Sequence, residues 1–171
     1  MAGFTKKICL LGDGAVGKTS LIRRFVFDDF SDDYIRTFGT KVTKKVVSIG
    51  EDKMTLMIWD ILGQKRHESL HSAYYKGASG VIVVCDLTRR ETFTGIDQWT
   101  SSLESVAGKV PIVLLGNKSD LEEERTVAES ALEKKSSRLD CSFLLTSAKT
   151  GKNVEEAFKL IAELIIEKEG Q

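Results

Sequence analysis

Residues 8–19 read Ile8-Cys9-Leu10-Leu11-Gly12-Asp13-Gly14-Ala15-Val16-Gly17-Lys18-Thr19. An apolar run gives way to G-x-x-x-x-G-K-[ST], and the helix-like run Ser20-Leu21-Ile22-Arg23-Arg24-Phe25-Val26 follows. Strand, glycine-rich loop and helix in that order are the setting in which this motif cradles phosphate. The glycines let backbone N–H groups turn inward around a di- or triphosphate, and the helix start adds the positive end of its dipole. Lys18 brings a point charge for the outer phosphates and Thr19 a hydroxyl for Mg²⁺. The predicted phosphate ligands are therefore Asp13, Gly14, Ala15, Val16, Gly17, Lys18, Thr19 and Ser20.

Outward from this loop, strand-like runs recur at Phe4–Leu11, Val42–Ile49, Met54–Asp60, Val81–Asp86, Val110–Gly116 and Cys141–Thr146. The turn at Gly50-Glu51 makes the second and third an antiparallel hairpin. The others are short continuous apolar runs, as expected of parallel strands covered on both faces. The only proline, Pro111, opens one of them. Phe93, Ile96, Trp99, Leu103 and Val106 fall at helical spacing, as do Val154, Ala157, Phe158, Ile161, Leu164 and Ile165. Alternating strand and helix predicts an α/β doubly wound sheet with its ligands beyond the carboxyl ends of the strands.

Composition bounds the rest. At 171 residues the chain fits one domain, 1–171. Lys and Arg number 25 and so do Asp and Glu, a balance that offers no nucleic-acid footprint and no polybasic membrane anchor. Cys9, Cys85 and Cys141 stand singly in apolar runs and read as core residues of a reducing, cytoplasmic compartment. No signal-peptide pattern opens the chain, and no apolar run approaches the ~18 residues of a membrane span.

Further ligand-facing segments close the strands. In Asp60-Ile61-Leu62-Gly63-Gln64, Asp60 at a strand end can hold Mg²⁺ through water, Gly63 offers an unobstructed N–H, and Gln64 can orient an attacking water. In Asn117-Lys118-Ser119-Asp120, the carboxylate of Asp120 can accept from N1–H and the exocyclic amine of guanine, a pairing that adenine lacks. Thr146-Ser147-Ala148-Lys149 can present a backbone N–H to the purine carbonyl.

With these segments in this order, the chain resembles the Ras superfamily of small GTPases over essentially its full length. Trp59-Asp60 before Gly63-Gln64, Tyr74-Tyr75-Lys76-Gly77-Ala78 and Gly151-Lys152-Asn153-Val154 resemble the Rab branch in particular. The resemblance implies a P-loop G domain whose six-stranded, mostly parallel sheet has one antiparallel strand and five flanking helices. It implies a monomeric switch that binds Mg²⁺ with GTP or GDP, hydrolyses GTP slowly, and meets effector, exchange factor and activating protein through the segments around Thr37 and Gln64. By the same likeness, Phe30 packs edge-on to guanine, and Tyr34 and Thr37 belong to the first switch. Thr37 reaches Mg²⁺ only with the γ-phosphate present. Ser147, Ala148 and Lys149 join Asn117, Lys118 and Asp120 around the base. Thr19 and Thr37 bind Mg²⁺, with Asp60 behind water, and Gln64 orients the water that attacks the γ-phosphate directly. Arg36 is the nearest arginine in sequence, but switch-loop solvation accounts for it, so acceleration is expected from a partner.

Two departures mark a distant relative, an archaeal one among the expectations. Ile61-Leu62 stand where the family usually has Thr-Ala, and Leu62 motivates an alternative, a GTP-binding module with negligible hydrolysis. Phe38-Gly39-Thr40-Lys41-Val42 lacks the acidic residue of Rab proteins and is followed by Lys44 and Lys45. The chain also ends without the C-terminal Cys that prenylation needs, and Met1-Ala2-Gly3 is no myristoylation signal. A rival of another class is the zinc-protease pattern H-E-x-x-H in His67-Glu68-Ser69-Leu70-His71, with Glu91 as a third ligand. The strand between His71 and Glu91 argues against it.

Overall fold

Along β1 (Gly3–Leu11), Ile8 and Leu10 belong to one buried cluster and Cys9 and Leu11 to another, the two-residue period of a strand covered on both faces. That alternation organises the molecule. The computed structural model describes residues 3–28, 30, 41–61 and 68–170. After β1 come α1 (Lys18–Phe27), β2 (Lys41–Ile49), β3 (Asp52–Asp60), α2 (Glu68–Tyr75) and β4 (Gly80–Asp86). Then follow α3 (Arg90–Thr94), α4 (Ile96–Ala107), β5 (Ile112–Asn117), α5 (Glu129–Arg138), β6 (Ser142–Leu145) and α6 (Val154–Glu169).

The six strands form one sheet in the order β2-β3-β1-β4-β5-β6, parallel throughout except for the β2–β3 pair. The hairpin turns at Gly50 and Glu51, as the sequence predicts, with Gly50 at φ 63°. β5 opens one residue later than the proline suggests. Pro111 has no N–H to give, but its carbonyl accepts from Val81 N–H at 2.9 Å. The helical pattern around Phe93 divides into α3 and α4 at Gly95. Gly95 keeps helical angles (φ −71°, ψ −12°), donates to Glu91 O at 3.0 Å and accepts from Trp99 N–H at 3.3 Å. Five helical columns therefore flank the sheet among the described residues.

α1 and α6 cover one face, where Leu21, Ile22, Ala157, Phe158, Ile161 and Ile165 pack on Ile8, Leu10, Ile58, Ile82 and Val84. The Phe25 and Phe158 rings stack with centroids 4.1 Å apart and planes within 4°. α2, α3, α4 and α5 cover the other face through Tyr75, Phe93, Ile96, Trp99, Leu103 and Leu132. Ile61, one of the two departures from the family pattern, is fully buried in this second cluster. Its N–H donates to Leu10 O at 3.3 Å, so the apolar side chain there serves packing. Cys9 and Cys85 are buried free thiols, pushed up to about 12 by burial, and half-buried Cys141 is pushed up to about 11 by the same cause.

Phe158 is fully buried beneath its stacked partner, so Phe158→Ala removes dispersion contacts and leaves a cavity between α1 and α6. A loss of about 3–5 kcal/mol is expected from urea unfolding, against a much smaller loss for Phe158→Leu.

Candidate nucleotide site

The loop after β1 turns sharply because two of its glycines have no room for a side chain. Gly12 sits at φ 148°, and a Cβ there would lie 2.3 Å from Val84 O. Gly17 sits at φ 107°, with a Cβ 2.3 Å from Asn117 Nδ2. Gly14 differs: a Cβ would meet nothing within 4 Å among the described residues, so the fold does not demand glycine at that position.

Lys18 opens α1 and folds back under the loop. Its ammonium is buried and donates to Gly12 O at 2.8 Å and Asp13 O at 3.2 Å. Burial pulls its pKa down to about 8, although the carboxylates of Asp60 and Asp13 oppose the shift. Anionic phosphate entering the loop would favour the charged form further. Next to it, Thr19 Oγ1 donates to Asp60 Oδ2 at 2.5 Å. The first turn of α1 and the last residue of β3 thus bring two hard oxygen donors together, one of them a buried carboxylate. That donor chemistry fits Mg²⁺.

Asn117 ends β5 and ties this loop to the rest of the site. Its Nδ2 donates to Val16 O at 2.9 Å, and its Oδ1 accepts from Thr146 Oγ1 at 3.0 Å. Lys118 then adopts φ 66°, and its Nζ reaches Asp86 Oδ2 at 2.9 Å. Ser147 Oγ donates to Asp120 Oδ1 at 2.7 Å and accepts from Thr150 N–H at 3.0 Å, and Ser119 N–H donates to Thr146 O at 3.0 Å. The two tetrapeptides predicted to face the base are therefore neighbours joined by direct hydrogen bonds. Phe30 is half-buried and packs against the core cluster that includes Ile8, Leu21 and Phe158. Ala148 is buried and Lys149 exposed.

Thr37, Tyr34, Gly63, Gln64, Leu62, Arg36 and His67 lie outside the described residues. His71 falls on α2, and β4 separates it from Glu91.

Several residues that position the site carry no motif. Arg24 Nε donates to Ala148 O at 2.8 Å and one of its Nη groups to Lys149 O at 2.6 Å, clamping the last loop to α1. Trp99 Nε1 donates to Asp13 Oδ1 at 2.8 Å, although its spacing alone places it only in the α4 core. Asp86 ends β4 almost wholly buried. Burial by itself would raise its carboxyl, but hydrogen bonds from Thr88 and Lys118 outweigh burial and hold it below the usual range. A charged residue closing a fully buried strand was the one sequence signal for it.

Thr146→Val keeps the shape of the side chain but leaves Asn117 Oδ1, inside the protein, without its hydroxyl donor. Denaturant unfolding should report a loss of about 1–3 kcal/mol, the usual cost of an unsatisfied buried acceptor.

Residues 7–167 match the family model described as Ras family. The chain is 41% identical over 165 residues to the Ras-related protein Rab-13 of Bos taurus, covering 96% of this chain and 81% of that protein. It is 41% identical over 156 residues to the Ras-related protein RABA4b of Arabidopsis thaliana, covering 91% and 70% respectively. It is 42% identical over 163 residues to the Ras-related protein SEC4 of Saccharomyces cerevisiae, covering 95% and 75%.

Proposed function

The chain belongs to the Ras family, in its Rab-like branch, as a GTP-binding switch that hydrolyses GTP, and we propose which of its residues carry that cycle. Lys18 and the loop from Asp13 to Ser20 hold the phosphates. Asp120 reads the guanine N1–H and amine, the backbone of Ser147, Ala148 and Lys149 meets the purine carbonyl, and Phe30 flanks the base. Asn117 and Lys118 brace this pocket against the phosphate loop. The observation that carries the reading is the Asn117 side chain, which bonds the phosphate loop and the Thr146 segment at once. It sets a phosphate cradle and a base pocket at a fixed spacing.

Thr19 and Thr37 would hold Mg²⁺, with Asp60 acting on it through water. When bound, the ion neutralises charge on the phosphate oxygens. Gln64 orients a water for direct attack on the γ-phosphate, Gly63 offers its N–H, and Tyr34 belongs with Thr37 to the first switch. Catalysis of this kind is mostly positioning and electrostatics. The segments around Thr37 and Gln64 change with the nucleotide, and effector, exchange factor and activating protein bind there to a monomer in the cytoplasm. Among the described residues no helix is long and apolar enough to cross a membrane.

Asp120→Asn replaces an acceptor with a donor. GTP affinity should fall by several kcal/mol while xanthosine triphosphate, with oxygen in place of the amine, gains. Titration with both nucleotides checks this, and GTP affinity left unchanged would refute the base assignment.

Gln64→Leu should bind GTP with unaltered affinity yet hydrolyse it at least about tenfold more slowly, ~1.4 kcal/mol in barrier. Single-turnover assays measure the rate, and chelating Mg²⁺ should abolish it in the unaltered chain. Equal rates in the variant and the unaltered chain would remove Gln64 from the mechanism.

A further inference from the structure

Arg89 follows β4 at the entrance to α3 and is tied to two parts of the site at once. Its Nε donates to Asp86 Oδ2 at 3.1 Å, and one Nη donates to Gly14 O at 2.7 Å, across a separation of 75 residues. Asp86 is 1% exposed and its Oδ2 also takes the Lys118 ammonium, while its Oδ1 accepts from the Thr88 N–H and hydroxyl. The carboxylate is thus fixed from both sides, and through Arg89 it fixes a carbonyl of the phosphate loop. A second grip lies one residue away, where Trp99 holds Asp13 Oδ1. The outer rim of the loop, Asp13-Gly14, is therefore held by the segment after β4, while Asn117 holds its inner side at Val16.

We propose that Arg89 is a positioning residue for nucleotide retention: through Asp86 it locks the Gly14 peptide in place and couples the phosphate loop to the Lys118 segment beside the base. The inference rests on the phosphate-loop reading given above. The chemistry calls for arginine. One planar guanidinium presents two N–H donors at a fixed separation, to a buried carboxylate and to a neutral carbonyl together. A lysine ammonium has the charge but lacks that fork. A locked Gly14 peptide keeps the loop N–H groups aimed at the phosphates before they arrive, so less ordering is needed on binding. With the lock gone, the loop relaxes, and bound nucleotide should leave sooner.

The test is release of a fluorescent GDP from the full chain with Mg²⁺ present, displaced by excess GDP, for the unaltered protein, Arg89→Ala and Arg89→Lys. Arg89→Ala should release about tenfold faster, and Arg89→Lys should fall between, the scale of one charge-assisted hydrogen bond. The ³¹P resonances of bound GDP should shift in Arg89→Ala and partly return in Arg89→Lys, which general loosening would not produce. Release within about twofold of the unaltered rate, or faster release with unmoved ³¹P resonances, overturns the inference. If Arg89→Ala does not fold, Arg89→Lys decides alone: faster release with shifted resonances supports the lock, and unchanged release overturns it. An unaltered chain that binds no GDP at all overturns the site assignment itself, and the lock with it.

Discussion

The Asn117 carboxamide joins the phosphate loop to the segment after the sixth strand through a single side chain. Its donor side holds Val16 O and its acceptor side holds the Thr146 hydroxyl, both within the protein. A carboxamide gives and accepts through two atoms on the same carbon and carries no charge. Gly17 follows from it, since a Cβ at that position would run into Nδ2. Thr146 follows too, because the hydroxyl satisfies Oδ1. The glycine motif, the fifth strand end and the sixth strand end are thus one polar unit inside an apolar sheet. Fully satisfied buried networks of this kind are rigid, and half-satisfied ones are costly.

Around this unit, charge and backbone meet at short range. Lys18 is held under the loop by two carbonyls, Asp86 is held by Lys118 and Arg89, and Arg24 holds two carbonyls of the last loop. Each cation is bound to a group that must be fixed if phosphate and base are to be met together. In the absence of anionic ligand, burial of Lys18 disfavours its charged form. The carboxylates of Asp60 and Asp13 oppose that shift from nearby.

Much of this was legible in the sequence, for a physical reason. β4 and β5, buried at every position, read as continuous apolar runs, while the β2–β3 hairpin shows through its turn at Gly50-Glu51 and the alternation along β3. The six runs mark the six strands to within a residue or two. Tight phosphate loops need glycine at particular dihedral angles, and base pockets need a carboxylate at a strand end. What stayed hidden were residues whose partners are backbone atoms. Arg24 binds carbonyls 124 and 125 residues away and Arg89 binds one 75 residues away, and a carbonyl carries no side-chain signature. Trp99 was visible as a core position but not as a donor to Asp13, because apolar spacing says nothing about an indole N–H. The break between α3 and α4 was invisible as well, since Gly95 remains helical and the apolar spacing runs straight through it.

The three thiols sit where burial holds them protonated, two at about 12 and one at about 11. At neutral pH roughly one in a hundred thousand of the more buried pair is thiolate at any moment, and thiolate is the form that reacts. Cys9 and Cys85 are doubly protected from alkylating and mildly oxidising reagents, by protonation and by burial, whereas half-buried Cys141 lies nearer to solvent. A single cysteine placed on the exposed face of α6 or β2 would then take a spectroscopic label, with Cys141, and not the buried pair, as the natural thiol to replace first.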